Sequence, residues 1–358
     1  MNRRKPMRIH MKVLGLVIAC AAGPAPATVT NALATRAAGD QVQLGWTATG
    51  AVDVYLAYAP DARIADAVLV SGADKDGKAL VRVDATKRPY FLLRDAADGA
   101  MTEVSERIVP LAQGSNFRDI GGYAAADGRH VRWGVIYRSG ASAMLTPDDV
   151  SKVNALGLRN MVDLRSDEER VLAPSKIDGV PYSAIGYSMT TLLAGMKNAA
   201  PQNGATIYRG FPTMLAPQLR IVFDLLRRQQ GPIEYNCSAG QDRTGFTTAM
   251  ILSALGIPRE TIIQDYHLST AYRQPQYEMP HIDLARYPDN AAAQMFGRYQ
   301  DNPAMRVAQP LKEADGTPFL KGAFDEIEAK WGSVDAYLEQ EVGVSAADRA
   351  ELRRLYLH

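Results

Sequence analysis

From Gln41 to Val109 the apolar residues come in short runs, "VQLGW", "VDVYLAY", "AVLVS", "LVRVD" and "YFLLRD", broken by turn clusters such as "ADKDGK" and "DAADG". Short strand-like runs spaced about ten residues apart predict a small antiparallel β-sandwich of immunoglobulin-like or fibronectin-like size. After "ERIVPLAQGSNFRDIGGY" the period changes. "NALGLRNMVDLRS" ends in a buried strand, "APQLRIVFDLLRRQ" has the spacing of an amphipathic helix, "PIEYN" reads as a strand and "RTGFTTAMILSALG" as a largely apolar helix. Strand alternating with helix predicts an α/β domain whose central sheet is mainly parallel and flanked by helices. The expected organisation is a leader over 1–27, the sandwich over 28–109 and the α/β domain over 110–358.

The first residues change that picture only at the N-terminus. Arg3, Arg4, Lys5, Arg8 and Lys12 precede an apolar run from Val13 to Ala22, then small residues and "APA". This is the layout of a secretory signal, with cleavage expected after Ala27. "VIAC" at 17–20 also has the form of a lipobox, in which the signal ends at residue 19 and Cys20 is lipidated. An uncleaved, buried N-terminus is the third reading. The first two place the protein outside the cytoplasm, periplasmic or secreted, with membrane contact only through a lipidated Cys20. No later segment carries the roughly 20 apolar residues of a membrane span.

Charge narrows the partners. With 40 Lys and Arg against 39 Asp and Glu the net charge is +1, which gives no electrostatic argument for nucleic acid. Recognition has to come from a local site, and a monomer is expected.

That site is written in "NCSAGQDRTG", residues 236–245. Of the chain's two cysteines, Cys20 lies in the leader, so Cys237 is the one thiol of the mature body and a candidate reactive group. It stands between a predicted strand and a predicted helix, where the amides of Ser238, Ala239, Gly240, Gln241, Asp242, Arg243 and Thr244 form a nest suited to an anion, phosphate above all. The helix N-terminus and Arg243 favour the thiolate, the nucleophilic form. Arg243 can take two phosphate oxygens in a bidentate fork, and Thr244 is placed to hydrogen-bond the sulfur as a leaving group.

This stretch resembles the signature of cysteine-dependent phosphatases. With "SNFRDIGGY", "VIYRSG", "VDLRSDEER" and "IIQDYHLS", it is similar to the bacterial tyrosine-phosphatase-like family, whose secreted members act on phosphotyrosine and phosphoinositides. The resemblance runs from Pro110 to His358 and implies a phosphocysteine intermediate, no cofactor, and a phosphotyrosine protein or peptide, or a phosphorylated lipid head group, as partner. The family usually has His before the nucleophile and Lys at the fourth loop position; this chain has Asn236 and Gln241. Both changes remove positive charge, which weighs towards phosphotyrosine over polyphosphorylated head groups. A phosphate-binding module without turnover is the competing class.

No Asp or Glu lies between Asp178 and Asp224, and Asp224 sits inside a helical pattern. That leaves Asp242 as the general acid, as proposed in the relatives, or as a pin for the loop that accepts backbone bonds. Arg118, Asp119, Arg138, Asp163, Arg165 and Asp265 are possible support residues, with buried ion pairs as the plainer reading of each. His130, His267 and His281 lack metal-ligand spacing, and no metal is expected. Residues 188–214, poor in charge, read either as a helical lid over the site or as a packed surface helix.

Overall fold

The computed structural model describes residues 29–191, 204–298 and 300–358. The leader with Cys20, and residues 192–203 of the expected lid, lie outside them. Seven strands come first: β1 (Thr30–Ala38), β2 (Gln41–Thr47), β3 (Val52–Ala57), β4 (Val68–Asp74), β5 (Lys78–Arg82), β6 (Tyr90–Asp95) and β7 (Met101–Ser105). They form two antiparallel sheets, ordered β1-β2-β5 and β4-β3-β6-β7. Alternation puts Val42, Leu44, Val52, Val54, Phe91 and Leu93 between the sheets, as a half-solvated sheet requires. β1 and β7 were not among the runs picked out in the sequence. β1, "TNALATRAA", is rich in Ala and has no fully buried residue, so it carries no strong alternation.

The remaining chain builds a second sheet from β8 (Arg118–Asp119), β9 (Ile136–Ser139), β10 (Asn160–Asp163), β11 (Tyr182–Ala184) and β12 (Ile233–Asn236), in the order β11-β10-β12-β9-β8. Four strands are parallel and β8 is the antiparallel edge. The helices are α1 (Pro147–Asn154), α2 (Asp167–Leu172), α3 (Gly204–Tyr208), α4 (Phe211–Met214), α5 (Ala216–Arg228), α6 (Arg243–Ala254), α7 (Arg259–Tyr272), α8 (Ala291–Gly297), α9 (Leu320–Trp331), α10 (Val334–Tyr337) and α11 (Ala346–Tyr356). One sheet face carries Ile136, Val162 and Tyr235 into a core with Val222, Phe223, Phe246 and Met250 of α5 and α6. The other carries Tyr137 and Met161 against Leu145 and Val153 near α1. β9, β10 and β12 are buried at every position, as expected of parallel strands covered on both faces.

The sandwich and the α/β half share side chains. Trp133 belongs to the α/β half yet packs in the sandwich core, with its indole N–H on the Glu103 carbonyl at 3.2 Å. Arg88 of the sandwich reaches Asp119 at 3.0 Å. Asp119 also accepts from the Gly134 and Gly121 amides, so it ties this joint and does not support the loop.

Candidate active site

β12 is the middle strand of the sheet, and the chain leaves it at Asn236 to form the loop 237–242 before α6 begins at Arg243. The crevice at the C-terminal ends of such strands is where open α/β sheets place their sites. Gly240 makes the turn possible. Its φ is +65°, and a Cβ there would meet the Ser139 carbonyl carbon and oxygen at 2.5 Å. No side chain fits.

The loop's carbonyls are held from behind. Asn116 Nδ2 donates to the Ala239 and Gly240 carbonyls at 3.2 and 2.7 Å, and Arg138 donates to the Gly240 carbonyl at 2.8 Å. With those oxygens occupied, the amides are free to turn the opposite way. Among the described residues, none of the backbone N–H groups from Ser238 to Arg243 donates a hydrogen bond. Unused amides at the N-terminus of a 12-residue helix make an anion site.

Beneath this loop lies an ion cluster. Arg118 and Arg138 share Asp265, at 3.3 and 2.6 Å, and all three side chains are buried. The Tyr123 hydroxyl donates to the same carboxylate at 2.8 Å. Burial pushes the Asp265 carboxyl up, but the two guanidinium charges outweigh it and hold it far below the usual carboxylate range. Arg118 also donates to the Asn116 side-chain oxygen. These three residues brace the loop and do not line it. Asp163 and Arg165 pair with each other at 2.6 Å, while Arg165 also binds the Ala173 carbonyl and Tyr182 binds Asp163. This pair ties β10 to β11 and the end of α2.

At the mouth, Arg243 meets a partner that sequence reasoning missed. Glu169 takes the two terminal nitrogens of its guanidinium at 2.6 and 2.7 Å and accepts from Ser238 Oγ at 2.6 Å. Burial raises the Glu169 carboxyl, yet the Arg243 charge and these hydrogen bonds overcome it and bring it down to about 2. Glu169 is fixed by local rules: Ser166 caps α2, and the two form a reciprocal capping box. The sequence signal was the spacing Ser-x-x-Glu in "SDEER". The Tyr187 hydroxyl accepts from Arg243 at 2.6 Å. Burial pushes this phenol up to about 12, against the pull of Arg243 and with Glu169 and Cys237 adding to the rise. Nε of Arg243 takes no partner among the described residues, which leaves one edge of the guanidinium for an anion; the side chain is 13% exposed.

Asp242 accepts no capping bond from the helix backbone. Its Oδ1 receives the Tyr208 hydroxyl at 2.5 Å and Gln241 Nε2 at 3.3 Å. Asp224 pairs with Arg228 at 2.7 Å on the surface of α5. Thr244 is buried and its hydroxyl has no hydrogen-bond partner, the sulfur included. Arg273 is the second residue the sequence did not reveal. It donates to Gln241 Oε1, pairs with Glu278 at 2.7 Å and is 14% exposed. Burial opposes its charge, but Glu278, Asp242 and Cys237 together raise its pKa. A cation therefore stands at the loop rim even though position 241 carries none.

Outside the loop, Asp61, Glu103 and His358 bring possible metal-ligating atoms within 4.8 Å of one another. Arg132 already bonds Asp61 at 3.2 Å.

A cysteine at the end of a buried central strand, a nest of amides and an arginine clamped by a carboxylate define a cysteine-dependent phosphatase class of site on an α/β fold. The sequence model of the tyrosine phosphatase family matches residues 109–358, and the chain belongs to that family. It is 32% identical over 256 residues to a Cupriavidus necator protein provisionally named a tyrosine-protein phosphatase, covering 68% of this chain and 86% of that one. It is 25% identical over 281 residues to the triple specificity protein phosphatase PtpB of Mycobacterium tuberculosis, covering 68% and 96%. The crystal structure of P. aeruginosa TpbA aligns over 52% of this chain and 94% of its own, at 15% identity and a TM-score of 0.27.

Proposed function

We propose that this chain hydrolyses phosphate monoesters through a phosphocysteine intermediate, with phosphotyrosine in proteins or peptides as the favoured substrate. The observation that carries the reading is the row of unused amides from Ser238 to Arg243 facing away from carbonyls held by Asn116 and Arg138. Donors fixed before the substrate arrives stabilise charge on the phosphoryl oxygens without reorganising. Cys237 Sγ attacks phosphorus, the bond to the leaving oxygen breaks, and that oxygen takes a proton from Asp242. Water then attacks the phosphocysteine, its proton returns to Asp242, and inorganic phosphate leaves as the thiolate is regenerated. The free edge of Arg243 holds two of the oxygens.

The test is Cys237→Ser. It should abolish turnover of a phosphotyrosine peptide and of a small aryl phosphate while keeping phosphate binding by calorimetry. Wild-type rates in that variant would falsify the mechanism. A wild-type protein that binds phosphate without turnover would instead establish the binding module. The second reading, a phosphorylated lipid head group, is favoured by Arg273 at the rim. Comparing kcat/KM for a phosphotyrosine peptide and a phosphoinositide decides between them. We also propose export, on the strength of the basic and apolar leader. Mass spectrometry of the mature N-terminus distinguishes a start at Thr28 from a lipidated Cys20, and a full-length chain kept in the cytoplasm would refute it.

A further inference from the structure

The general acid proposed above is held by a chain of hydroxyls. Tyr266 donates to the Tyr208 hydroxyl at 2.8 Å, and Tyr208 donates to Asp242 Oδ1 at 2.5 Å. Both phenols are buried. The Tyr208 ring meets Tyr266 edge to face with centroids 6.0 Å apart and packs on Phe211 at 4.5 Å. Tyr266 lies on Gly245, where a Cβ would meet its ring at 2.9 Å. Packed this way, neither hydroxyl has another place to go. Burial, followed by Asp242 and Tyr266, pushes the Tyr208 phenol far above its ordinary value, so it stays protonated and remains a donor. Both bonds to Asp242 fall on Oδ1; among the described residues none reaches Oδ2.

We propose that Tyr208, backed by Tyr266, is a positioning residue for proton transfer: it occupies Oδ1 of Asp242, so that the travelling proton resides on Oδ2. This rests on the reading of Asp242 as the acid. As Cys237 Sγ bonds to phosphorus, the electron pair of the breaking P–O bond goes to the leaving oxygen, which takes the Oδ2 proton. The carboxylate so formed accepts a stronger bond from Tyr208 than the neutral acid did. When water attacks, the S–P pair returns to sulfur and the water proton returns to Oδ2.

The experiment compares Tyr208→Phe, Tyr266→Phe and Asp242→Asn in the full chain, on phosphotyrosine and on dinitrophenyl phosphate, whose far more acidic leaving group needs no proton. Asp242→Asn should lose on the order of 10²-fold or more in kcat on phosphotyrosine and little on the dinitrophenyl ester. Tyr208→Phe should show the same dependence on leaving group at about tenfold, the scale of one hydrogen bond to a charged group. The descending limb of its kcat–pH profile should move to higher pH, because a carboxylate that loses a donor gains basicity. Tyr266→Phe, which keeps Tyr208 in place, should change both readouts in the same direction and by less. Equal losses on both substrates with an unmoved pH limb in the two tyrosine variants would overturn the proposal and leave Asp242 standing. If Asp242→Asn itself shows no dependence on leaving group, the acid reading fails and the positioning role with it.

Discussion

Two arginine–carboxylate clusters flank the phosphate loop, and they use the same chemistry for opposite ends. Below the loop, Arg118 and Arg138 share Asp265, all three sealed from solvent, and the spare donors go to the Gly240 and Asp265 carbonyls and to Ser269. At the mouth, Arg243 faces Glu169 one to one, with Nε unused among the described residues and a partly exposed guanidinium. The lower cluster spends its donors on the protein and fixes the loop's shape. The upper one clamps one edge of the guanidinium and leaves the other for an anion. Positive charge beside an anion site is thus no sign of a ligand; the donors left over are.

The comparison can be broken most severely from below. Asp265→Asn strips the shared carboxylate from two buried guanidinium groups, and a loss of about 3–5 kcal/mol in denaturant unfolding is expected. A loss under about 1 kcal/mol would show that the lower cluster does not hold the fold. Above the loop the clearest effect lies in pH. Glu169 is depressed from 4.5 to about 2, so its stabilisation is full above about pH 4.5 and drains away as the pH falls towards 2. Glu169→Gln should flatten the wild-type decline of the unfolding midpoint across that window. Parallel curves for the two proteins would place the acid sensitivity elsewhere. The smallest expected effect is at the rim. Gln241→Lys should raise kcat/KM for a bis-phosphorylated inositide over an aryl monophosphate only a few-fold, about 1 kcal/mol at most, and less as salt rises. Arg273 already supplies a cation there. Equal changes for both substrates would show that position 241 does not sort them by charge.

Much of this site can be read in the sequence, because its core is local. Cys237, Gly240 and Arg243 lie within one strand–loop–helix unit, and the period-2 and period-3.6 patterns on either side place that unit in the sheet. What escapes is long-range. Glu169 and Arg243 are 74 residues apart, and Tyr208 and Asp242 are 34 apart, with no periodicity to link either pair. Glu169 had a capping-box spacing to locate it on α2, but nothing local says which arginine it meets. Asp119 erred the other way. Next to Arg118 in sequence, it alternates to a different environment and ends on the joint with the sandwich. Alternation along β8 accounts for the split.

That joint bears on how the gene can be cut. Trp133 sits among Val42, Val54 and Phe91, and Arg107 lies between the Tyr123 and Trp133 rings, 4.1 and 4.7 Å from their centroids. The sandwich therefore completes its interior with an indole encoded downstream of its own last strand. Excising 29–109 would strand that ring in water, and transplanting the same segment onto another protein would carry a hole. The N-terminal β-structure is a graft that has taken, no longer a detachable module.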